Sequence, residues 1–95
     1  MEYKNEVVEN LLRNYYSLQR HPDSTFSEYK VDLDMGLAKL KKYSNTLYST
    51  IVNVFVNGVP IQEQAKVDGV SRMHTNRRLH DGLHMLTMIM NGEVL

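Results

Sequence analysis

Apolar residues recur every three or four positions through most of the chain, which is the spacing of one face of an α-helix. Between Glu2 and Arg20 this apolar stripe consists of Val8, Leu11, Leu12, Tyr15 and Leu18. The segment 21–24 ends the first helix, because the residue before Pro22 is pushed out of the helical region. A second helix is predicted after a cap at Thr25 or Ser27, with inward positions Phe26, Tyr29, Leu33, Leu37 and Leu40.

The third predicted helix begins at a cap formed by Ser44 or Asn45 and ends near Val56. Its richness in Val, Ile, Thr and Tyr leaves a strand as the alternative. The 3.6-residue spacing and the Asn57-Gly58 stop favour the helix. Its predicted inward residues are Leu47, Ile51, Val54 and Phe55.

Two more helices, joined by a tight turn, complete the predicted elements. Pro60 fits the first turn of the fourth helix, because its missing N–H is not needed there. Gly69 supplies the positive φ of the turn, and Ser71 caps the fifth helix. The buried line of that helix is predicted to be Thr75, Leu79, Leu83 and Leu86, and the opposite face to carry Met73, Arg77, His80 and His84. The pattern therefore predicts an all-α fold of four to five helices that ends in a helix-turn-helix.

The size of the chain fits one domain with one core, since it has 95 residues of which 42% are hydrophobic. We divide it into N-terminal helices over 1–43 and a helix-turn-helix region over 44–95. Cysteine is absent, so disulfides and thiolate-metal sites are excluded. No apolar run approaches the roughly 20 residues that cross a bilayer, so we expect a cytoplasmic protein without a membrane partner.

The distribution of charge points to nucleic acid, although the formal net charge is zero. Between Val70 and His80 there are three arginines, two histidines and no carboxylate. The second helix of a helix-turn-helix lies in the DNA major groove, where donors meet phosphates and base edges. Overall neutrality predicts modest non-specific affinity, so that a dimer or a protein partner is needed.

The expected contacts to double-stranded DNA divide into two groups. Base edges are assigned to Met73, Asn76 and Arg77, because arginine pairs with guanine and asparagine with adenine. Phosphates are assigned to Lys66, Arg72, Arg78 and the Ser71 amide at the helix N-terminus. Gln62 is expected to meet the DNA backbone, and His74 and His80 complete the donor surface.

From about Val31 onward the chain resembles the final helix-turn-helix domain of bacterial sigma factors, region four, which small phage regulators of the ArpU and RinA type also carry. The family pattern is G-L-S-x-x-E-I-A-x-x-L-G-I-S followed by a basic helix x-x-T-V-x-R-x-L-x-x-A-L-x-x-L. The positions in register are Gly58, Glu63, Ala65, Gly69, Val70, Ser71, Arg77, Leu79, Leu83 and Leu86. Upstream, Val31 to Leu40 looks like the family's lead-in, and Leu11 to Arg20 resembles the first helix of the phage regulators. The resemblance implies a phage or mobile-element transcriptional regulator.

Several positions depart from the family pattern. Pro60 stands where the family has a capping serine, Gln64 and Asp68 replace apolar residues, and Thr75 replaces a valine. Burying an unpartnered carboxylate is costly. We therefore expect Asp68 to be exposed, with Val67 turned partly inward.

Motifs for metal binding or catalysis are weaker in this sequence than the helix-turn-helix pattern. His80 and His84 share a helix face, as zinc ligands do, but no third ligand is evident and Gly82 weakens the helix, so no metal or other cofactor is expected. No catalytic grouping is evident, so an enzyme is not expected.

The C-terminal segment is an apolar tail, which is expected either to pack in the core or to form a homodimer contact. Its residues are Met85, Met88, Ile89, Met90, Val94 and Leu95. The alternative function is a protein-interaction module that has lost DNA contact and binds RNA polymerase, another regulator or itself.

Overall fold

The computed structural model describes residues 2–20 and 27–93, which form an all-helical fold without a strand. The α-helices of this described part are α1 (Asn5–Arg13), α2 (Tyr15–Arg20), α3 (Ser27–Tyr43), α4 (Asn45–Ile51), α5 (Ile61–Asp68) and α6 (Arg72–Met90). The all-α prediction is confirmed, with six α-helices in the described residues where four to five were predicted. The predicted capping side chains of α3, together with Phe26, Val94 and Leu95, lie outside the described residues. No helix in the described part is long and apolar enough to cross a membrane.

The additional helix arises because the first predicted helix is interrupted at Asn14. This residue leaves the helical region at φ −106° and ψ 20°. Its side-chain amide donates to the Asn10 carbonyl at 2.8 Å, and its backbone N–H donates to the same oxygen at 3.1 Å. Asparagine side chains compete with the helical backbone in this way. The prediction of one continuous helix from Glu2 to Arg20 was therefore wrong.

The third predicted helix is confirmed over α4, and the strand alternative is wrong. The Ser44 hydroxyl caps α4 by accepting the Leu47 N–H at 3.2 Å. After Ile51 the chain continues as a π-helix over Val52–Val56, and the Asn57 N–H donates to the Val52 carbonyl at 3.0 Å. The wider turn keeps the apolar stripe facing inward, since Val54 and Phe55 are both buried.

Helix α6 runs through the centre of the molecule and packs against α1, α3, α4 and α5. Its predicted buried line is confirmed, because Thr75, Leu79, Leu83 and Leu86 are all buried. The fully buried core is completed by Val8, Leu12, Leu33, Leu40, Thr50 and Ile51. In the C-terminal tail, Ile89 is buried, and Met85, Met88 and Met90 are half-buried. The described part of that tail is thus largely used by the core of the monomer.

The segment before α1 is joined to the C-terminal end of α6 around Tyr3. Its backbone N–H donates to Asn91 Oδ1 at 2.6 Å, and the Asn91 side-chain amide donates to the Tyr3 carbonyl at 2.9 Å. Its hydroxyl donates to Asp32 at 2.6 Å. A similar bond joins the Tyr15 hydroxyl to Asp34 at 2.7 Å. These contacts attach α1 and α2 to α3 and to the C-terminal end of α6.

The two tyrosines predict a loss of stability in alkali. Burial, followed by the hydrogen bond to Asp34, raises the pKa of Tyr15 to about 12, and burial with Asp32 raises the pKa of Tyr3 further. In the unfolded state both tyrosine hydroxyls ionise with the ordinary pKa of about 10. The native state therefore retains protons that the unfolded state has lost, and the free energy of unfolding falls as the pH rises from about 10 to 12.

Urea denaturation at a series of pH values measures this fall. Tyr3→Phe and Tyr15→Phe cannot ionise, so each variant should show a shallower decline than the parent, and Tyr43→Phe, at an exposed position, serves as the control. If the free energy of unfolding falls equally steeply with pH in all four proteins, Tyr3 and Tyr15 do not cause the alkaline loss of stability.

Candidate nucleic-acid interface

The turn between α5 and α6 is closed by backbone hydrogen bonds on both sides of Gly69. This glycine has φ 66° and ψ 32°, the left-handed conformation predicted for it. Its N–H donates to the Lys66 carbonyl at 3.2 Å, and the Val70 N–H donates to the Ala65 carbonyl at 3.0 Å. This pair of bonds is the Schellman arrangement that ends many helices. It fixes the direction in which the chain enters α6.

The start of α6 is capped as the sequence predicts. The Ser71 hydroxyl accepts the His74 N–H at 3.0 Å, and the Ser71 carbonyl accepts the Thr75 N–H at 3.0 Å. The first turn of α6 contains no acidic residue. The positive end of the helix dipole at Arg72 is therefore available to an anion.

The cap gives a testable stability effect. Replacing the capping hydroxyl by a methyl group leaves the His74 N–H without its partner, so Ser71→Ala should lower the free energy of unfolding by about 1 kcal/mol. Ser71→Asn retains an acceptor and should unfold at nearly the parent urea concentration. Equal destabilisation by both substitutions would show that the hydroxyl does not act as a cap.

The N-terminal half of α6 presents most of its surface to solvent. Only Thr75 and Leu79 are buried between Arg72 and Asp81. Met73 is 74% exposed, although it is a large apolar side chain. The predicted contact residues that are exposed are Gln62, Lys66, Ser71, Arg72, Met73, His74, Asn76, Arg77 and His80. We call this group, together with the half-buried Arg78, the basic face.

One position on α5 differs from the expectation. Val67 is 80% exposed, so the prediction that it turns partly inward was wrong. The inward position is occupied by Gln64, which is only 4% exposed. Its side-chain amide donates to Asp68 at 3.0 Å, so the buried amide has a partner and valine is not needed there.

Taken as a whole residue Asp68 is exposed, as predicted, but its side chain contacts two others. Besides accepting the Gln64 amide, it lies 3.6 Å from the Arg78 guanidinium. The Asp68 and Arg78 side chains are each 25% exposed, so the pair is partly shielded from water. From the sequence, Arg78 is expected to meet a phosphate. In the free protein, however, a carboxylate already occupies that position beside the guanidinium.

A groove separates the basic face from α1, a neighbour that sequence analysis did not place there. It has a volume of about 290 Å³, with Asn76 and His80 on one wall and Glu9 and Arg13 on the other. Glu9 pairs with Arg13 at 2.9 Å, and the Arg13 guanidinium lies 5.0 Å from the centre of the Phe55 ring. Two carboxylates beside the basic face, Asp68 and Glu9, are thus each paired with an arginine, Arg78 and Arg13 respectively.

The metal alternative gains no further ligand from the fold. No group of three His, Cys, Asp or Glu side chains with the spacing of a metal site occurs in residues 2–20 and 27–93.

Comparison with protein-family models, curated proteins and solved structures gave no match to this chain. The resemblance to sigma factor region four therefore stays a prediction.

Proposed function

We propose that this protein is a DNA-binding transcriptional regulator that uses the N-terminal half of α6 in the major groove. The observation that carries the proposal is the exposed basic face, which follows a glycine turn and a serine cap and contains no carboxylate from Ser71 to His80. The short connection between α5 and α6, with its glycine, agrees in length with the turn expected of a helix-turn-helix and so supports the proposal. The resemblance to phage regulators supports the same class of protein.

Arginine and asparagine side chains give the proposed site its chemistry. Arg77 projects from the side of α6 opposite the buried line, with Met73 one turn before it. Asn76 lies on the flank beside the groove. Arg77 can donate two hydrogen bonds to guanine, and Asn76 can pair with adenine. In this proposal Arg72 and the capped helix N-terminus bind a phosphate.

The salt dependence of binding tests this proposal. The probe is a duplex of about 30 base pairs with randomised sequence, titrated by fluorescence anisotropy at salt concentrations from about 50 to 200 mM. Arg72→Ala with Arg77→Ala removes one assigned phosphate contact and one assigned base contact, so the slope of log affinity against log salt should fall by about 1. The affinity at the lowest salt should fall at least about tenfold, since each lost charged hydrogen bond costs about 1.5 kcal/mol or more.

The matched control removes two cations from the other end of the molecule. Lys4 and Lys30 adjoin Tyr3 and Tyr29, whose rings pack together near Asn91, just past the C-terminus of α6. Helix α6 is 19 residues long, which places Arg72 about 28 Å from that end. Lys4→Ala with Lys30→Ala should leave the slope unchanged. If both double variants lose the same DNA affinity and the same salt slope, binding does not use the basic face.

A second candidate function, docking of a protein on the same surface, is favoured by two exposed apolar side chains. Val67 is 80% exposed and Met73 is 74% exposed, on either side of the hydrogen-bonded turn between α5 and α6. Apolar anchors within a polar rim are typical of protein interfaces. If the protein retains a polypeptide partner from nuclease-treated lysate, loses it on Val67→Asp with Met73→Asp, and does not bind the duplex, the second candidate replaces the first.

A further inference from the structure

The outward face of α3 combines two apolar side chains with charges of opposite sign at its two ends. Its members recur at alternating steps of three and four residues: Glu28, Val31, Met35, Ala38 and Lys42. All five are exposed. Val31 is 53% exposed and Met35 is 55% exposed, so the centre of this face presents apolar surface to solvent.

Alternating steps of three and four residues are the spacing of the positions along which two helices pair in a coiled coil. We call these five exposed residues of α3 the seam. The residues that α3 packs into the core, Leu33, Leu37 and Leu40, lie on the opposite side of the helix. The seam therefore does not belong to the core of the monomer. The helix dipole explains an acidic residue near the N-terminus and a lysine near the C-terminus of α3, but it does not explain the exposed Val31 and Met35 between them.

The order of charges decides which partner fits. Glu28 lies at one end of the seam and Lys42 at the other, about 21 Å away along the helix. When two copies of α3 lie antiparallel with Met35 at the centre, Glu28 of each copy faces Lys42 of the other. Met35 then meets its own equivalent, and Val31 lies beside Ala38 of the second copy. A two-fold interface needs this kind of self-complementary surface.

Neither end of the seam is paired within the described residues, because neither Glu28 nor Lys42 forms an ion pair there. A groove of about 200 Å³ adjoins the seam and is lined by Met35, Gly36, Lys39 and Met90. The surface that a second helix would meet is therefore continuous from α3 to the end of α6.

We propose that the protein forms a two-fold homodimer through the seam on α3, with the two α3 helices antiparallel. This differs from the homodimer expected through the C-terminal methionines, most of whose described surface packs in the core. The proposal does not depend on DNA binding. One helix per subunit buries less than the about 1,200 Å² of a standard interface, so the dimer belongs to the weak class.

Sedimentation equilibrium of the full chain without DNA tests the proposal, at protein concentrations from about 5 to 500 µM, which cover weak interfaces. The parent should change from monomer to dimer within this range. Met35→Asp brings two like charges together at the centre and should raise the dissociation constant at least about tenfold. Val7→Asp, which also replaces an exposed apolar side chain but lies on α1, should leave the dissociation constant unchanged.

Charge reversal tests the antiparallel order directly. Glu28→Lys alone and Lys42→Glu alone each place like charges opposite one another and should weaken the dimer. The double variant Glu28→Lys with Lys42→Glu restores opposite charges and should return the dissociation constant to near its parent value. A monomer at every concentration, a dimer insensitive to Met35→Asp, or the absence of rescue in the double variant would overturn the proposal.

Discussion

Gly82→Ala is expected to lower the free energy of unfolding by about 2 kcal/mol, despite the usual preference of helices for alanine. A methyl group at this position would lie 2.7 Å from Ile51 Cγ2 and 3.3 Å from the Leu47 carbonyl oxygen. Ile51 is fully buried and β-branched, and a backbone carbonyl moves only with its helix. The added methyl must therefore push α4 and α6 apart where they cross.

The same substitution at Gly36 provides the control. There the methyl group would meet Met90 Cγ at 2.9 Å and Leu86 Cδ1 at 3.0 Å, which are both side-chain atoms. The half-buried Met90 can change its rotamer at low cost. Gly36→Ala should thus change the free energy of unfolding by less than about 0.5 kcal/mol, because about 1 kcal/mol of helix propensity offsets the repacking.

Urea denaturation of the two alanine variants and the parent compares these values. If Gly82→Ala is as stable as Gly36→Ala, the close crossing of α4 and α6 is wrong. A lower midpoint with an unchanged slope in urea for Gly82→Ala alone would confirm the local clash.

The helices could be predicted from the sequence where the apolar spacing and the caps agree. In α6 the cap at Ser71 and the buried line from Thr75 to Leu86 were both correct, since one helix period connects them. The break at Asn14 could not be predicted in this way, because the apolar stripe continues across it. Tyr15 and Tyr16 on its far side bond to Asp34 and Asn57, which are distant in sequence.

The exposed members of the candidate interface could also be predicted, because a capped helix with one buried line must present its other side to solvent. The ion pair between Asp68 and Arg78 could not be predicted from the sequence. It depends on how α5 and α6 approach each other, and spacing within one helix carries no information on that. The exposure of Val67 has the same origin, because Gln64 occupies the inward position and satisfies its amide through Asp68.

The Asp68–Arg78 pair predicts that a single substitution raises the proposed DNA affinity. Asp68→Asn removes the negative charge that lies 3.6 Å from the Arg78 guanidinium, so that guanidinium becomes free to meet a phosphate. We expect about a tenfold tighter complex at low salt, since a charged hydrogen bond contributes about 1.5 kcal/mol. The salt slope should steepen by about 1, the value for one additional phosphate contact.

A double-mutant cycle separates this effect from a general change in charge. Arg78→Ala should weaken binding only slightly in the parent, where Asp68 already holds the guanidinium, but should abolish the whole gain in the Asp68→Asn background. Asp81→Asn removes an equal charge from an exposed position one residue beyond His80 and should leave the effect of Arg78→Ala unchanged. If Arg78→Ala weakens the complex equally in all three backgrounds, the carboxylate of Asp68 does not compete with DNA for this arginine. The increase in affinity would then come from the lost charge alone, and Arg78 would act as an independent phosphate contact.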